Sequence, residues 1–342
     1  MNNLRLVAWE VTRRCNLSCI HCRASAINSN RFDEDELSTE EAFVLIDEIA
    51  KVSHPILILS GGEPLLRQDI FKIASYAISK EFTVVIGCNG TLINEKVTER
   101  IKDVGIKRIS VSLDGAAAKT HNKIRQQGAF EKALEGLKWA KRSGLEFQIN
   151  TTVTKQNYLE LNDIINLSIK LGAVACHFFF LVPTGRAKTM EKQELSLTEY
   201  EDVLTWLYKK SKVTNIEIRT TCAPHYFRIM QQIEKGEQHF PLSKGCLAAT
   251  SYCFISYKGE VFPCGYLDVR CGDIKTQSFK DVWENSQVFN ELRDFSKYKG
   301  KCGRCEYINV CGGCRARAYA KTGDYLDQEP NCIYQPKKER IN

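Results

Sequence analysis

The stretch LRLVAWEVTRRCNLSCIHC, residues 4–22, places three closely spaced cysteines directly after an apolar run that is typical of a β-strand. Cys15, Cys19 and Cys22 follow the pattern C-x3-C-x2-C. Metal sites built only from protein thiolates usually have four ligands, so this group is one ligand short. The spacing fits the C-x2-C pairs of zinc sites poorly and favours a 4Fe–4S cluster with one open iron. A zinc site completed by His21 or by a distant residue is the alternative.

Apolar, strand-like runs alternate with amphipathic helices from residue 4 to residue 222. Ser38 and Glu41 have the spacing of a capping box, and Gly105, Gly144 and Gly172 stand where helices end. Apolar strands that alternate with helices predict a parallel sheet covered by helices, here an α/β fold with a partial (β/α)6 barrel. The predicted strands span 4–12, 55–62, 82–90, 108–115, 146–154 and 176–184, with a weaker seventh at 216–222.

Polar motifs follow several of the predicted strands. GGEP at 61–64, CNGT at 88–91, SLDG at 112–115 and PTGR at 183–186 each come where a strand ends. Because the carboxyl ends of parallel strands share one edge of a sheet, we expect these motifs to meet the three cysteines there. The sequence therefore predicts one active site at this edge.

The overall composition is that of a globular protein of 342 residues with a net charge of +7. This excess suits an anionic substrate, and it is too small and scattered to indicate nucleic-acid binding. No apolar run approaches the ~20 residues that span a bilayer, and the N-terminus lacks the apolar core of a signal peptide. We therefore expect a cytoplasmic protein, and a reducing cytoplasm disfavours disulfides among its fifteen cysteines.

Near residue 240 the composition changes, since cysteine and glycine replace helical periodicity. This change predicts a barrel domain over residues 1–235 and a small cysteine-rich domain over 236–342 that metal holds together. A pair of zinc ribbons is one interpretation, although the five residues between Cys305 and Cys311 suit a ribbon poorly. The eight cysteines of this region are Cys246, Cys253, Cys264, Cys302, Cys305, Cys311, Cys314 and Cys332.

The C-x3-C-x2-C motif after the first strand, together with GGEP and SLDG after later strands, resembles the radical SAM superfamily. The resemblance implies that Cys15, Cys19 and Cys22 hold a catalytic 4Fe–4S cluster whose open iron binds S-adenosylmethionine (SAM). Cleavage of SAM would give a 5′-deoxyadenosyl radical that removes a hydrogen atom from a C–H bond. His21 stands where the family often has an aromatic residue. The residues that the resemblance implies in SAM binding are Gly61, Gly62, Glu63, Ser112, Asp114 and Arg125.

The C-terminal cysteines resemble the SPASM extension of radical SAM maturases, which carries auxiliary iron–sulfur clusters. The interleaved pattern of that family implies two auxiliary 4Fe–4S clusters. Its central run usually ends in C-x3-C, whereas this chain has C-x2-C at Cys311 and Cys314. One cluster would then use Cys246, Cys253, Cys264 and Cys314, and the other Cys302, Cys305, Cys311 and Cys332.

Segments 176–188, 220–229 and 311–325 combine aromatic, His and Arg residues, which suits a flat, apolar ligand edged with carboxylates. These segments resemble the radical SAM enzymes of alternative heme and heme d1 biosynthesis, the heme synthases of the siroheme-dependent pathway in particular. That resemblance implies oxidative decarboxylation of two propionates of iron-coproporphyrin III to vinyl groups, with an external electron donor and acceptor. The residues that we expect to contact the tetrapyrrole are His177, Arg186, Arg219, His225, Tyr226, Arg228, Arg315 and Arg317.

Three other functions compete with this interpretation. A related radical SAM enzyme would remove acetyl or other side chains from didecarboxysiroheme or from a tetrapyrrole of the heme d1 pathway. A SPASM maturase would modify a precursor peptide instead. A zinc-containing nucleic-acid module would hold no iron–sulfur cluster, so the brown absorption near ~400 nm separates it from the enzymes.

Overall fold

The computed structural model of the chain describes residues 3–29, 35–234 and 245–337. In these ranges the chain forms a single sheet. The first seven strands of the chain are parallel and lie side by side in chain order. The six predicted strands are all present, and the weaker seventh is also a strand of this sheet. The strands are β1 (Leu6–Glu10), β2 (Ile56–Ser60), β3 (Thr83–Cys88), β4 (Arg108–Ser112), β5 (Glu146–Val153), β6 (Ala175–Phe180) and β7 (Glu217–Thr221).

Helices follow the strands and cover one face of the sheet. The predicted capping box is present, since the Ser38 hydroxyl accepts from the Glu41 N–H while the Glu41 carboxylate accepts from the Ser38 N–H. The helix at 197–211 was not predicted from the sequence. The helices of the barrel are α1 (Thr39–Ala50), α2 (Ile70–Ser79), α3 (Glu95–Val104), α4 (Ala118–Ile124), α5 (Ala129–Arg142), α6 (Leu161–Leu171), α7 (Leu197–Ser211) and α8 (His225–Ile233).

The two faces of the sheet differ in chemistry. Along β5, Phe147 and Ile149 are buried in the core between the sheet and the helices. Gln148 and Asn150 alternate with them and are half-buried on the opposite face. We call the face away from the helices the inner face, and it leaves polar side chains available for a ligand.

The cysteine-rich region continues the same sheet. Strand β8 (Tyr252–Ile255) pairs in parallel with β1, on the side away from β2, and β9 (Glu260–Phe262) and β10 (Gly272–Asp273) follow in antiparallel order. The domain boundary predicted at 235/236 lies outside the described residues. No helix in the described ranges is long and apolar enough to cross a membrane. The remaining helices are α9 (Phe279–Asn285), α10 (Gln287–Arg293), α11 (Gly300–Gly303) and α12 (Arg315–Thr322).

Candidate active site

The three predicted cluster cysteines lie on the loop that follows β1. The Leu17 N–H donates to Cys15 Sγ at 3.4 Å, and the Ala26 N–H donates to Cys22 Sγ at 3.5 Å. Burial raises the pKa of the Cys15 thiol to about 12 and also raises that of Cys19. Metal binding offsets this cost because it favours the thiolate form. Three thiols on one short loop, two of them with N–H donors aimed at sulfur, fit a cluster that three cysteines hold.

The PTGR motif after β6 fastens the cysteine loop. Arg186 donates through Nε to the Cys19 carbonyl at 2.8 Å and through Nη1 to the Ala26 carbonyl at 2.7 Å. A Cβ on Gly185 would lie 2.1 Å from the Arg23 carbonyl oxygen, so the close approach requires glycine there. Arg186 was expected to hold a substrate carboxylate, and the structure instead uses its guanidinium to position the loop.

The two glycines of GGEP let the loop after β2 approach the backbone just before the cysteines. A Cβ on Gly61 would lie 2.5 Å from the Thr12 carbonyl oxygen, and one on Gly62 would lie 2.2 Å from that of Arg14. The Gly62 N–H donates to the Thr12 carbonyl at 2.7 Å. The sequence-predicted SAM-binding motif is therefore in direct backbone contact with the cysteine loop.

Glu63 is fully buried at the end of this motif. Its carboxylate accepts from the Leu65 N–H at 3.1 Å and from the Asn89 N–H at 2.8 Å. Burial raises its pKa to about 7, although these two N–H groups act in the opposite direction. The side chain joins the loops after β2 and β3, and each oxygen keeps a second lone pair that can accept from an ammonium group.

A buried ion network links the SLDG motif to the cysteine loop. Asp114 pairs with His21 Nε2 at 2.9 Å and with Arg125 Nε at 2.6 Å, and it accepts from the Thr152 N–H at 2.7 Å. Arg125 Nη1 also lies 3.9 Å from Cys19 Sγ. Burial alone would raise the pKa of Asp114, but Arg125 and His21 hold it well below its usual range. The pairing of His21 with Asp114 was not predicted from the sequence.

Polar residues of neighbouring strands meet on the inner face. The strand register sets Ser112, Asn150 and His177 side by side, each half-buried. The amide of Gln148 lies 3.1 Å from His177 Nδ1, and burial lowers the pKa of His177 to about 4, so this histidine is neutral at pH 7. Phe179 adds an aromatic face two residues further along β6. The surface next to the cysteine loop can therefore hold a ligand that is partly apolar and partly hydrogen-bonding.

A second thiol group lines a cavity near the C-terminus of the described chain. The empty space there is about 400 Å³, including the part that is open to solvent. Its walls also include His225 and Arg228, and the Glu329 N–H donates to Cys302 Sγ at 3.3 Å. The four cysteines that the cavity brings together are those of one predicted auxiliary cluster, Cys302, Cys305, Cys311 and Cys332.

Within residues 3–29, 35–234 and 245–337, no three His, Cys, Asp or Glu side chains converge so as to hold a single metal ion. In a 4Fe–4S cluster each thiolate binds a different iron atom, so the donors surround the cluster and not one ion. A cluster site therefore does not require three side chains to converge on one point.

Comparison with known proteins places this geometry in a family. Residues 9–168 match the family model of the radical SAM superfamily, and residues 246–315 match that of an iron–sulfur cluster-binding domain, SPASM. The chain is also 50% identical over 348 aligned residues to AdoMet-dependent heme synthase of Methanosarcina barkeri, with 99% of each chain covered. The chain belongs to the radical SAM superfamily.

A second relative and a solved structure agree with this membership. The chain is 45% identical to AdoMet-dependent heme synthase of Nitratidesulfovibrio vulgaris, over 98% of this chain and 93% of that one. The fold is similar to that of Streptococcus suis SuiB bound to S-adenosylmethionine, with a TM-score of 0.77 at 17% identity over 97% of this chain and 78% of that one. This radical SAM enzyme therefore uses SAM and 4Fe–4S clusters on a partial barrel with a SPASM region.

The other predicted auxiliary set is not brought together at all four positions. Cys253 is fully buried on the helix-facing side of β8, and burial raises the pKa of its thiol, with a further contribution from Cys271. Burial also raises the pKa of Cys264, with further contributions from Cys246 and Cys314. In this radical SAM enzyme Cys253 therefore points into the core beneath the helices, away from the inner face.

Three of the arginines expected at the substrate have partners inside the protein. Arg228 makes a two-point ion pair with Glu201 at 2.8 and 2.5 Å. Arg315 is fully buried and donates to three backbone carbonyls. Arg317 is fully buried and pairs with Glu329 at 3.2 Å. These pairs stabilise the cysteine-rich region, so the three guanidiniums are not available to a propionate.

The remaining substrate candidates lie in different places. His225 is fully buried against the C-terminal cavity, and neither ring nitrogen has a hydrogen-bond partner among the described residues. Tyr226 packs edge-on against Tyr208, between α7 and α8. Arg219 is on β7 beside His177 in the strand register, pairs with Glu217 at 2.6 Å, and its side chain is 55% exposed. Of the five candidate arginines, Arg219 alone presents its guanidinium to solvent in this way.

Arg23, directly after the third cysteine of the loop, was missed by sequence reasoning. It donates to Glu10 at 3.0 Å and to the Gly265 carbonyl at 3.3 Å, and it stacks on the Phe254 ring at 4.5 Å. Gly265 follows Cys264, so Arg23 connects the radical SAM loop to the SPASM region. No spacing rule in the sequence indicates a contact between residues so far apart in the chain.

Proposed function

We propose that this enzyme removes the carboxyl groups of two propionate side chains of iron-coproporphyrin III as CO2 and leaves vinyl groups, giving heme b. The observation that carries the proposal is the 50% identity, over 99% of both chains, to a protein named AdoMet-dependent heme synthase. The aligned region spans nearly the whole length, so it covers the strands of the inner face as well as the cysteine motifs.

The reaction balances for each propionate as follows. When bound, the cluster and SAM supply a carbon radical that can remove a hydrogen atom. The C–H bond broken is on the propionate carbon next to the porphyrin ring. The bond from the neighbouring carbon to the carboxylate then breaks, CO2 leaves, a C=C bond forms, and one electron passes to an external acceptor. Two such cycles convert two propionates to two vinyl groups.

The side chains of the inner face supply binding and orientation. His177 is neutral at pH 7 because burial lowers its pKa to about 4, so it can contact a porphyrin without adding a buried charge. Phe179 offers an aromatic surface next to the polar groups of Asn150 and Thr152. Arg219 is an exposed cation on this face, and a guanidinium binds a carboxylate through two parallel hydrogen bonds.

The test is anaerobic incubation of the reconstituted enzyme with SAM, dithionite and iron-coproporphyrin III, followed by mass spectrometry of the tetrapyrrole. We expect loss of two CO2 units together with the formation of 5′-deoxyadenosine. A parallel incubation with didecarboxysiroheme tests the main alternative. An unchanged iron-coproporphyrin III, with loss of acetate side chains from didecarboxysiroheme, would contradict the proposal and favour the deacetylase function.

Arg219 gives a sharper test of how the substrate is held. Arg219→Gln should raise KM for the porphyrin by about tenfold or more, because a charged hydrogen bond contributes ~1.5–3 kcal/mol. The matched control is Arg270→Gln. The Arg270 side chain is 53% exposed and likewise forms an ion pair, but it lies beside β10, at the opposite edge of the sheet. Equal effects of both changes on KM would mean that Arg219 does not bind the substrate.

A further inference from the structure

The hairpin of β8 and β9 decides which cysteines can share an auxiliary cluster. In this antiparallel pair Phe254 lies opposite Phe262, and Ile255 lies opposite Val261. Continuing the register sets Cys264 opposite Tyr252, which places Cys264 on the same face as Phe254. Cys253 alternates with these residues and points to the other face, where it is fully buried in the core.

The residue after Cys264 lies beside Phe254 and the radical SAM loop. A Cβ on Gly265 would lie 3.2 Å from the Phe254 ring, and the Gly265 carbonyl accepts from Arg23 at 3.3 Å. Cys264 therefore faces the radical SAM loop, whereas Cys253 faces the helices. The sheet separates the two thiols.

Cys222 directly follows the last residue of β7, Thr221. Its backbone has a left-handed φ of 58°, which is uncommon for a residue other than glycine and often marks a functional site. Its carbonyl accepts from Arg317 Nη2 at 2.9 Å and from the Tyr200 hydroxyl at 3.2 Å. Arg317 belongs to α12, which begins directly after Cys314, so these bonds fix Cys222 next to Cys314.

The segments that carry the four thiols pack against one another. The Cys246 N–H donates to the Cys311 carbonyl at 3.1 Å, which places Cys246 beside the run that ends at Cys314. Burial raises the pKa of the Cys264 thiol, and the neighbouring Cys246 and Cys314 thiols raise it further. A Cβ on Gly245 would lie 2.7 Å from the Cβ of Pro224, so the segment before Cys246 packs against the turn that carries Cys222.

We propose that Cys222, Cys246, Cys264 and Cys314 hold one auxiliary 4Fe–4S cluster, with Cys222 as the fourth ligand and Cys253 outside the set. Four thiolates leave no iron open, so this cluster transfers electrons and does not bind the substrate directly. The inference concerns the metal site alone and does not depend on which substrate the enzyme uses.

The experiment compares Cys222→Ala with Cys253→Ala in the full chain after anaerobic reconstitution. Iron and sulfide are counted per chain, and the EPR spectrum of the reduced protein is recorded. Three clusters correspond to about twelve iron atoms. We expect Cys222→Ala to lose about four of them, or to retain them with an open iron whose EPR signal changes when imidazole is added. Cys253→Ala should keep both the iron content and the spectrum of the unaltered protein.

A third variant separates a lost ligand from a lost fold. Cys222→Ser keeps nearly the same size and hydrogen-bonding capacity, so circular dichroism should show an intact fold while the EPR spectrum still changes. Full iron content with an unchanged spectrum in both Cys222 variants would overturn the proposal. Loss of about four iron atoms on Cys253→Ala would overturn it as well.

Discussion

The loop after β1 and the cavity near the C-terminus both gather thiols, but their surroundings differ. The loop carries three cysteines at the carboxyl edge of the sheet, beside the Asp114–Arg125 pair and the half-buried polar residues of the inner face. The cavity gathers four cysteines and is bordered by two internal ion pairs, Arg228–Glu201 and Arg317–Glu329. One group has three thiols where a substrate can approach, and the other has four thiols among charges that are already neutralised.

The neighbours of a thiol group therefore indicate its role, as the number of thiols does. Around the loop, charged and polar groups still have lone pairs or donors to offer to a bound molecule. Around the cavity, the guanidiniums donate to carboxylates and carbonyls of the chain itself. We therefore expect changes in the loop to stop the chemistry, and changes in the cavity to affect electron transfer and stability.

The largest expected effect is the loss of SAM cleavage when one loop cysteine is replaced. Cys15→Ala should abolish 5′-deoxyadenosine formation, because two thiolates do not hold the catalytic cluster. Cys311→Ala, in the cavity, should lower the iron content yet still cleave SAM when dithionite is present. Liquid chromatography of 5′-deoxyadenosine measures both variants, and Cys176→Ala, a buried cysteine of β6, controls for the removal of a thiol.

Equal loss of SAM cleavage in the Cys15 and Cys311 variants would erase the distinction between the two groups. In that case the cavity would be required for assembly of the catalytic cluster, and its separate role would have to be abandoned. A folded Cys176→Ala variant with full activity shows that the assay itself tolerates a missing thiol.

The next effect in size concerns the arginine that fastens the loop. Arg186→Gln removes two charged hydrogen bonds, to the Cys19 and Ala26 carbonyls, each of which contributes ~1.5–3 kcal/mol. We expect iron to be lost to a chelator about tenfold faster or more, with a parallel fall in the rate of SAM cleavage. Lys188→Gln, an exposed change in the same turn, should leave both rates unaltered. Slow iron loss in the Arg186 variant would mean that the loop is rigid without it.

The sequence allowed the barrel and the catalytic loop to be predicted because their signals are local. Strand–helix alternation, the capping box at Ser38 and the C-x3-C-x2-C spacing each lie within a short window. The four cysteines of the cavity were grouped from the SPASM resemblance, and the structure places all four along one cavity; their role as ligands stays a prediction.

What could not be predicted depends on contacts between distant parts of the chain. Cys253 fits the spacing of a ligand, yet the register of the β8–β9 hairpin turns it away from Cys264. Arg315 and Arg317 have the composition of a carboxylate site, and only the fold shows that Glu329 and backbone carbonyls already pair with them. Burial and pairing of a charged residue are properties of the tertiary structure, and residue type does not reveal them.

The smallest expected effect compares one histidine from each region through the pH dependence of stability. Burial lowers the pKa of His177 to about 4 and that of His225 to about 3, both below the ordinary value of 6.5. Well above pH 6.5 each is neutral in the folded and the unfolded chain, so neither makes stability depend on pH there. As the pH falls below 6.5, the unfolded chain binds protons that the folded chain does not bind. Each histidine therefore lowers the free energy of unfolding by about 1 kcal/mol between pH 6.5 and 5.5.

His177→Gln and His225→Gln should therefore each flatten the decline in the free energy of unfolding over this pH interval, as measured by urea denaturation monitored by circular dichroism. The slope is the decisive quantity, because the loss of packing at either position shifts stability equally at all pH values. If only His225→Gln flattens the decline, His177 is protonated in the folded chain at pH 5.5. Water must then reach the inner face, and the region around the loop is more open to solvent than the half-buried positions of Asn150 and His177 indicate.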